Sequence, residues 1–528
     1  MEAKRLLLGD EAVALAAIDS GLSGVYAYPG TPSTEITEFI QKDPAARERG
    51  VHSRWCTNEK TAMEAALGMS YAGKRALVCM KHVGMNVCAD PFINSAVTGV
   101  NGGLIVLAAD DPSMHSSQNE QDSRFYGNFA MIPMFEPSSQ QEAYDMVGYA
   151  FNLSEELHVP VLMRVVTRLA HSRAEVKRGA PREENRLDPS DDRGWILLPA
   201  IARKQYLKLI DKQPLMLGKS GSSPFNTLTL TGEKGTGIIA CGIAYNYVKE
   251  ADPQVSGILK LSHYPLPAEQ IRALAAASDK ILVIEDGQPF VEHEVRAILG
   301  AAYPVEGRLT GALPRTGELT PDSVGTAVGK PTFRHFPDAL NMAPRPPQLC
   351  PGCGHRDVYA ALNEVVADYP GARVFGDIGC YTLGALPPFR TLSSCVDMGA
   401  SITMAKGAAD AGVHPAIAVI GDSTFTHSGM TGLLDAVNEN ADITVLISDN
   451  LTTAMTGGQD SAGTSKYEGI CTGLGVDPAH VKVVVPLPAN MSEIKETIRQ
   501  EIAYHGVSVI IARRECIQSL KRHSAKKI

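Results

Sequence analysis

The sequence lacks long apolar runs, dense cysteines and an excess of positive charge. No apolar run approaches the roughly 20 residues of a membrane-spanning helix, so no membrane span is predicted. The formal net charge of −9 leaves no broad basic surface for nucleic acid. Ten cysteines in 528 residues are too sparse for a disulfide scaffold, and the N-terminus turns acidic after three leucines, which disfavours a secretory signal. These absences predict a cytoplasmic protein with reduced thiols.

The sequence does have enough apolar material for several domains. Hydrophobic residues make up 44% and charged residues 20%, as in globular proteins, and the length corresponds to about three domains of ~150 residues. Strand patterns alternate with helix patterns, which predicts α/β domains with parallel sheets. We expect domains over residues 1–175, 236–330 and 340–528. A charged linker over 176–235 and a proline-rich segment over 343–351 are expected to join them.

The stretch 416–459 carries the strongest chemical signal. A buried strand pattern ends at 421–423 (Gly-Asp-Ser), a helix pattern follows, and a second buried strand pattern ends just before Asn450. The carboxyl ends of parallel strands form the ligand-binding edge of such sheets. The side-chain oxygens of Asp422 and Asn450, with a main-chain carbonyl near Thr452, would be three hard ligands for Mg²⁺. An ordinary βαβ unit with a polar rim is the alternative.

Polar turns also follow the strand patterns of the first domain. One strand pattern ends in the rigid turn 28–33, which contains two prolines and a glycine. Glu59 opens a small-residue helix, where a carboxylate by itself is most often explained by the helix dipole. The segments 81–86 and 110–122 follow two later strands and are candidate substrate loops. Ordinary loop chemistry is their alternative interpretation.

Two cysteines, Cys350 and Cys353, form a C-x-x-C motif near the start of the last domain. Such a pair can be redox-active, zinc-binding or cluster-binding, and the second close motif that zinc would need is not in the sequence. We select Cys380 and Cys516 as partners, because four thiolates of one domain suit a [4Fe–4S] cluster. A reduced pair in a proline-glycine turn is the alternative. The other cysteines are expected to be buried apolar residues: Cys56, Cys79, Cys88, Cys241, Cys395 and Cys471.

These motifs together resemble the 2-oxoacid:ferredoxin oxidoreductases that use thiamin diphosphate. The Gly-Asp-Ser and Asp-Asn tips are similar to the thiamin motif GDG…NN, with Ser423 and Asp449 as departures, and a Thr-Gly-Gly-Gln run follows at 456–459. The turn 28–33 and the Asn-Glu-Lys at 58–60 resemble the pyrimidine-binding domain of that family. The loops after the later strands resemble the indolepyruvate:ferredoxin oxidoreductase α subunit, and the resemblance covers nearly the whole chain.

The resemblance implies a fold with pyrimidine-binding, transketolase-C-like and diphosphate-binding domains. It implies thiamine diphosphate, Mg²⁺ and one [4Fe–4S] cluster as cofactors. Mg²⁺ would be held by Asp422, Asn450 and Thr452, and the cluster by Cys350, Cys353, Cys380 and Cys516. Catalytic roles are implied for Glu59, which would activate the aminopyrimidine ring, and for Thr31 and His82. Contacts with thiamine diphosphate are implied for Tyr28, Pro29, Gly30, Glu59, Gly354, His355, Gly379, Gly421, Asp422, Ser423, Asn450, Thr452 and Thr456.

The implied reaction is the oxidative decarboxylation of an aryl 2-oxoacid, such as indolepyruvate, to an acyl-CoA. Electrons would pass to ferredoxin or another iron–sulfur acceptor. Met85, Met114 and Phe125 would suit a wide apolar substrate pocket, although methionine is also a common core residue. Two alternatives remain: a non-oxidative thiamin-dependent 2-oxoacid decarboxylase, and a cofactor-free assembly subunit whose motifs persist only as a scaffold.

The implied partners are the 2-oxoacid, coenzyme A and other subunits. We expect an α dimer within a hetero-oligomer, joined by a smaller β (γ-type) subunit. The repeated C-x-x-C-x-x-C-x-x-x-C motif that usually ends the family's α subunits does not occur, and the sequence stops 12 residues after Cys516. A separate ferredoxin-like iron–sulfur subunit, or ferredoxin itself, is therefore expected to carry electrons onward.

Overall fold

The computed structural model describes residues 4–188, 192–330 and 346–525. The chain divides into two compact units, Met1–Pro337 and Asp338–Ile528. Both units contain mainly parallel sheets flanked by helices, which confirms the predicted multi-domain α/β fold. Within the described ranges, no helix is long and apolar enough to cross a membrane. The predicted linker 343–351 lies partly outside the described residues.

Strands of the first unit form a two-stranded ladder and two larger sheets. The strands are β1 (Lys4–Leu8), β2 (Gly24–Ala27), β3 (His52–Trp55), β4 (Ala76–Lys81), β5 (Leu104–Asp110), β6 (Met134–Phe135), β7 (Val161–Val166), β8 (Arg173–Lys177), β9 (Thr227–Leu230), β10 (Thr236–Cys241), β11 (Gly257–Leu261), β12 (His263–Tyr264), β13 (Lys280–Ile284) and β14 (Val305–Glu306). The larger sheets have the orders β12-β6-β7-β5-β4-β2-β3 and β14-β13-β10-β11-β9. Only β12 in the first and β9 in the second are antiparallel to their described neighbours.

Helices cover these sheets, as parallel strands with two buried faces require. The helices of the first unit are α1 (Gly9–Asp19), α2 (Thr34–Lys42), α3 (Pro44–Glu48), α4 (Glu59–Tyr71), α5 (His82–Val87), α6 (Ala89–Thr98), α7 (Arg124–Ala130), α8 (Gln140–Leu157), α9 (Thr167–His171), α10 (Pro199–Gly221), α11 (Ala244–Ala251), α12 (Ala268–Ala276), α13 (Phe290–Leu299) and α14 (Pro321–Ala327). The turn 28–33, Glu59 and His82 follow β2, β3 and β4, at one edge of the seven-stranded sheet.

The segment 176–235 is more regular than the linker predicted from the sequence. Helix α10 begins with a proline at its first position, where the missing N–H costs nothing, and it places Leu209 and Met216 in the core. These two residues are separated by two helical turns, so they lie on one face. Because charged residues surround this narrow apolar stripe, the composition of the segment did not indicate a helix that packs on the core. Residues 178–188 have neither helix nor strand.

A buried ion network joins the two large sheets of the first unit. Arg164, on β7, donates from Nε to Asp110 Oδ2 at 2.6 Å and pairs with Glu136. Its Nη2 also donates, at 3.0 Å, to the carbonyl oxygen of Asp286, which follows β13 of the other sheet. The Arg164 side chain is only 1% exposed, so its charge is balanced by protein groups rather than by water. Removing one member of such a network leaves a buried charge uncompensated.

The second unit is built on a six-stranded, all-parallel sheet of order β16-β15-β17-β18-β20-β19. Its strands are β15 (Arg373–Gly376), β16 (Ser394–Cys395), β17 (Ala416–Gly421), β18 (Ile443–Asp449), β19 (Val481–Val484) and β20 (Val507–Arg513). Its helices are α15 (Gly354–Val366), α16 (Ala400–Asp410), α17 (Asp422–Thr424), α18 (Met430–Asn438), α19 (Tyr467–Gly473), α20 (Met491–Ile502) and α21 (Ile517–Ala525). Alternate residues of β17 enter separate apolar clusters on the two faces, for example Ile420 on one and Val419 on the other.

We predict that Arg164→Met destabilises the first unit by about 3–5 kcal/mol, because Asp110 and Glu136 then lose a buried counter-charge. The matched control is Arg168→Met. That side chain is 40% exposed and pairs with Glu318, so we expect a loss of about 1 kcal/mol or less. Urea unfolding followed by far-UV circular dichroism measures both. Equal midpoints for the two variants would contradict a structural role for the network.

Candidate active site

The tips of β17 and β18 bring Asp422 and Asn450 together. The backbone N–H of Thr452 donates to Asp422 Oδ2 at 3.1 Å and to Asn450 Oδ1 at 3.2 Å, so both side-chain oxygens lie next to one atom. Asp422 Oδ1 accepts a second bond from the Ser423 N–H at 2.8 Å. The pairing of β17 with β18 fixes this meeting, because it aligns Gly421 with Ser448. The three residues predicted to hold Mg²⁺ therefore share one small region.

Asp422 is buried, and no cationic side chain among the described residues lies beside it. Asp422 is 2% exposed, and burial, with a smaller contribution from the nearby Asp449, raises its pKa to about 7 against the opposing effect of three backbone N–H groups. Asp449, which replaces the first Asn of the motif, accepts instead from Arg513 Nε at 2.6 Å. Arg513 also pairs with Glu468. Asp449 thus belongs to a structural ion pair, whereas the carboxylate of Asp422 is held only by neutral donors.

The loop after β18 closes on itself through Gln459. The main-chain oxygen of Gln459 accepts from Thr453 N at 2.8 Å and from Thr452 Oγ1 at 3.0 Å. Thr456 Oγ1 donates to Gln459 Oε1 at 2.6 Å. Gly457 and Gly458 have φ values of 129° and 89°, a backbone conformation that residues with a Cβ rarely adopt. The hydrogen bonds and the glycine conformations of the Thr-Gly-Gly-Gln run therefore close this loop next to the strand tips.

Gly379 and Gly421 leave room for a tyrosine ring. A Cβ on Gly379 or Gly421 would lie 2.2 or 2.5 Å from the Tyr381 ring. The Tyr381 hydroxyl hydrogen-bonds the buried carboxyl group of Asp377, whose pKa burial raises to about 7. Asp377 also accepts from Ser401 Oγ at 2.7 Å. These two glycines, predicted to contact the cofactor, have a packing role in the structure, and no local sequence pattern predicted that the Tyr381 ring packs against both of them.

Four cysteines line one cavity beside this strand edge. Cys350, Cys353, Cys380 and Cys516 border a cavity of about 160 Å³ together with Gly354, His355 and Asn450. Burial raises the pKa of the Cys380 thiol to about 12, and the other three thiols add to the effect. The backbone N–H of Cys516 donates to the carbonyl oxygen of Asn450 at 3.1 Å. Cys516 is therefore hydrogen-bonded directly to Asn450, a predicted metal ligand.

The spacing of these thiols bears on what they could bind. One tetrahedral Zn²⁺ with Zn–S bonds of about 2.3 Å would bring its thiolates to about 3.8 Å from each other. The described residues include one group of possible ligands with all its atoms within 4.8 Å, and the four cysteines are not in it. Wider spacing suits a cluster with one thiolate at each of four irons.

The remaining cysteines only partly match the expectation of burial. Cys79, Cys88, Cys241 and Cys471 are buried, as predicted. Cys56 is half-buried, and Cys395 is exposed on the edge strand β16, which no further strand of the described residues covers.

His355 reaches the same region from the start of α15. Its Nε2 lies 3.5 Å from Asn450 Nδ2, and its side chain is 5% exposed. Burial lowers the pKa of His355 to about 4, so the imidazole is neutral at physiological pH. A neutral ring can accept a hydrogen bond from the Asn450 amide and so orient the amide oxygen towards the Asp422 side.

In the first unit, Glu59 lies at the start of α4 and is 5% exposed. A Cβ on Gly84, in α5, would lie 2.7 Å from Glu59 Oε1. Glu59 also raises the pKa of the Cys88 thiol, although burial of that thiol is the larger cause. The carboxylate is therefore held against the α5 backbone, at a position that only a glycine at residue 84 leaves open.

The turn after β2 is fixed by its own polar groups. The Gly30 N–H donates to Thr34 Oγ1 at 3.0 Å, and Ser33 Oγ donates to the Gly30 carbonyl at 2.8 Å. Tyr28 and Pro29 are buried, whereas Gly30 and Thr31 are half-buried. A Cβ on Gly30 would lie 3.1 Å from Lys81 Cβ, so this turn packs on the end of β4.

His82 is placed deeper than the predicted catalytic role suggests. It is 1% exposed, and within the described residues neither ring nitrogen has a hydrogen-bond partner. Its charge would lower the pKa of Asp110, which places the ring near the buried ion network. Met85 is also completely buried, whereas Met114 and Phe125 are 47% and 46% exposed. The three residues predicted to form an apolar substrate pocket thus occupy quite different environments.

One feature near the site escaped the sequence analysis. Residues Phe425–Gly429 form a π-helical turn directly after Asp422–Thr424. Such turns are rare and occur frequently at functional sites. His427 lies within the turn, is 4% exposed, and its Nδ1 lies 2.6 Å from Ser428 Oγ. The signal available in the sequence was a histidine flanked by Thr, Ser and Gly in the first turn of a helix that follows a ligand-bearing strand.

Comparison with known proteins bears on both units. A family model described as pyruvate flavodoxin/ferredoxin oxidoreductase, thiamine diphosphate-binding, matches residues 15–193. A model described as thiamine pyrophosphate enzyme, C-terminal TPP binding domain, matches residues 377–512. The first match contains the turn 28–33 and Glu59, and the second contains Asp422 and Asn450.

Curated relatives match almost the whole chain. The indolepyruvate oxidoreductase subunit IorA of Archaeoglobus fulgidus is 40% identical over 97% of this chain and 86% of its own length. The subunit IorA of Methanothermobacter thermautotrophicus is 37% identical over 98% of this chain and 87% of its own length.

A solved structure shares the fold. The 2-oxoglutarate:ferredoxin oxidoreductase of Magnetococcus marinus, with 2-oxoglutarate, coenzyme A and succinyl-CoA bound, matches with a TM-score of 0.52 and 18% identity. The match covers 62% of this chain and 65% of that one. The fold, both family models and the near full-length relatives agree. The chain therefore belongs to the family of the indolepyruvate oxidoreductase subunit IorA, within the thiamin-diphosphate-binding 2-oxoacid:ferredoxin oxidoreductases.

Proposed function

We propose that this chain is the catalytic α subunit of an enzyme that converts an aryl 2-oxoacid, coenzyme A and oxidised ferredoxin into an acyl-CoA, CO₂ and reduced ferredoxin. Two electrons leave the substrate, so two one-electron acceptors are reduced for each acyl-CoA formed. The observation that carries the proposal is the convergence of four cysteines, His355 and Asn450 on one cavity. A non-oxidative decarboxylase has no use for such a thiol set.

The oxygen ligands of the second unit fit Mg²⁺. Asp422 and Asn450 offer side-chain oxygens beside one backbone N–H, and Asp422 has no cationic partner among the described residues. Hard oxygen ligands with room for phosphate oxygens and water are what Mg²⁺ prefers. Thr452 is the third proposed ligand, through its carbonyl oxygen. The diphosphate of the cofactor would bind here, under the loop that Thr456 and Gln459 close.

Glu59 fits the role of the activating carboxylate. It is nearly buried and lies against Gly84, and burial of this kind strengthens a hydrogen bond to a ring nitrogen. When bound, thiamine diphosphate supplies the electron sink for decarboxylation. Glu59 would hold a proton at the aminopyrimidine nitrogen, and the turn with Thr31 would orient the substrate. His82 as a proton-transfer group stays a prediction, and its burial favours a positioning role.

We propose that the four thiols hold a [4Fe–4S] cluster, because they do not form one of the described ligand groups whose atoms all lie within 4.8 Å, as a single metal ion would require. Cys350 and Cys353 would come from the turn before α15, Cys380 from the segment after β15, and Cys516 from the segment after β20. The hydrogen bond from Cys516 to the Asn450 carbonyl would keep the cluster close to the diphosphate end of the cofactor.

The aryl substrate rests on the relatives named indolepyruvate oxidoreductase. Phe125 is 46% exposed and packs edge-on against Phe290, which makes it a candidate wall for a wide apolar pocket. A smaller β subunit, a ferredoxin-like protein and a second copy of this chain complete the proposed assembly.

The substrate assignment predicts a preference that kinetics can measure. With coenzyme A, ferredoxin and the smaller subunit under anaerobic conditions, we expect kcat/KM for indolepyruvate to exceed that for 2-oxoglutarate by at least about 100-fold, about 2.7 kcal/mol of transition-state binding. Aldehyde as the main product, in place of acyl-CoA, would instead support the non-oxidative decarboxylase.

Gly84→Ala tests the position of Glu59. The added Cβ would lie 2.7 Å from Glu59 Oε1, so the carboxylate must move, and a displacement near 1 Å can cost about 100-fold in rate. We expect kcat to fall towards the level of Glu59→Gln while thiamine diphosphate still binds. The matched control is Gly68→Ala on α4, which has open space around it and should keep the wild-type kcat. Full activity in Gly84→Ala would remove Glu59 from the proposed role.

Iron content tests the thiol set. Anaerobic reconstitution of the full chain with iron and sulfide should give four irons per chain, and Cys353→Ser and Cys516→Ser should each lower that number. Cys395→Ser is the control, because this exposed cysteine lies outside the cavity. Wild-type protein that binds no iron would remove the oxidative proposal for this subunit and favour the decarboxylase.

A further inference from the structure

Three side chains outside the proposed active site converge in the first unit. Asp10 lies on α1, Glu35 on α2 and His171 at the end of α9, and their ligand atoms all lie within 4.8 Å of one another. His171 Nε2 and Glu35 Oε2 are 3.5 Å apart. The residues are far apart in the sequence and belong to none of the motifs of the candidate active site. Their meeting is therefore a product of the tertiary structure alone.

The fold builds this cluster through two close contacts. The ladder between β1 and β8 ends with Leu8 opposite Arg173, so the chain segments that carry Asp10 and His171 leave the ladder side by side. A Cβ on Gly9 would lie 2.2 Å from the carbonyl oxygen of Leu169, so only glycine lets α1 begin this close to α9. Both contacts are made by the backbone, which gives the cluster a rigid frame.

Asp10 has no partner for its charge among the described residues. It is 0% exposed, and neither carboxylate oxygen has a hydrogen-bond partner. Burial, Glu35 and Glu11 all raise its pKa. The neighbouring Glu11 is engaged elsewhere, since its Oε2 accepts from the Leu8 N–H at 2.9 Å and from Arg173. A buried polar group without a partner costs free energy, which a bound cation would recover.

We propose that Asp10, Glu35 and His171 bind one divalent transition-metal ion, with Zn²⁺ as the probe. Two carboxylates and one imidazole are a ligand set typical of such ions, whereas Mg²⁺ and Ca²⁺ prefer oxygen ligands alone. Three protein ligands leave a fourth position for water. Glu35 also borders a cavity of about 290 Å³ whose charged lining residues are Glu11, Glu38, Asp43 and Lys42, so one of the three proposed ligands faces an open cavity.

The proposed ion would hold the turn 28–33 in place. Glu35 directly follows Thr34, whose Oγ1 accepts from the Gly30 N–H at 3.0 Å. An ion on Glu35 would therefore fix the start of α2, and with it the turn 28–33, against α1 and α9. This role is structural and does not depend on the Mg²⁺ assignment in the second unit, so the two can fail separately.

The test compares full-length variants before and after removal of metal by a chelator. Zn²⁺ titration of the wild type should show one equivalent more than Asp10→Asn and His171→Gln. Affinity at this site should fall at least about 100-fold in either variant, since even an outer partner of a metal ligand is worth roughly 10–100-fold. Any Zn²⁺ on the cysteines is the same in all of them and cancels in the difference. The control is Glu38→Gln, on the same helix and cavity wall but outside the cluster.

Thermal unfolding separates an ion site from an ordinary packing role. Zn²⁺ should raise the Tm of the wild type and of Glu38→Gln by a few degrees, and leave Asp10→Asn and His171→Gln unmoved. Without metal, Asp10→Asn should unfold at or above the wild-type Tm, because the amide has the size of the carboxyl group and can never carry the charge that burial disfavours. Equal Zn²⁺ uptake by all variants would overturn the proposal, and so would a Mg²⁺ response as large as that to Zn²⁺. An equal loss in Glu38→Gln would mean diffuse binding to the acidic cavity, and would overturn it as well.

Discussion

Both units contain a carboxylate that is buried at the carboxyl end of a parallel strand and needs a partner for its charge. Asp110 at the end of β5 and Asp422 after β17 are both almost completely buried. Asp110 forms an ion pair with Arg164, and the resulting network joins two sheets. Asp422 accepts only from backbone N–H groups. The first charge is satisfied by folding, whereas the second leaves an affinity for a cation, and this difference separates a structural residue from a candidate ligand.

The strand tips of the second unit are linked to the thiol cavity by the main chain. Asn450 offers its side-chain oxygen to the Thr452 N–H and its carbonyl oxygen to the Cys516 N–H. One residue therefore connects the candidate metal site to the candidate cluster site through hydrogen bonds of ordinary length. Because both hydrogen bonds fix backbone positions, we expect a backbone displacement at either site to displace the other.

Close backbone approach recurs at the candidate sites. Gly84 leaves space for the Glu59 carboxylate, Gly421 leaves space for the Tyr381 ring, and Gly9 lets two helix ends meet. None of these positions has the positive φ that would demand glycine for conformational reasons, so the requirement comes from the neighbouring atoms. A glycine of this kind cannot be distinguished in sequence from one in an ordinary turn.

The sequence by itself determined the α/β class, the strands that carry the polar tips, and the residue types at those tips. It could do so because continuous apolar strands and polar strand ends are local patterns, and Asp422, Asn450 and Glu59 lie within them. Only the tertiary structure decided which distant groups meet. It placed Cys516 beside Asn450, buried His82, exposed Cys395, ordered α10 and gathered Asp10, Glu35 and His171. Those outcomes depend on strand order and on helix packing between residues far apart in the chain, which no local pattern encodes.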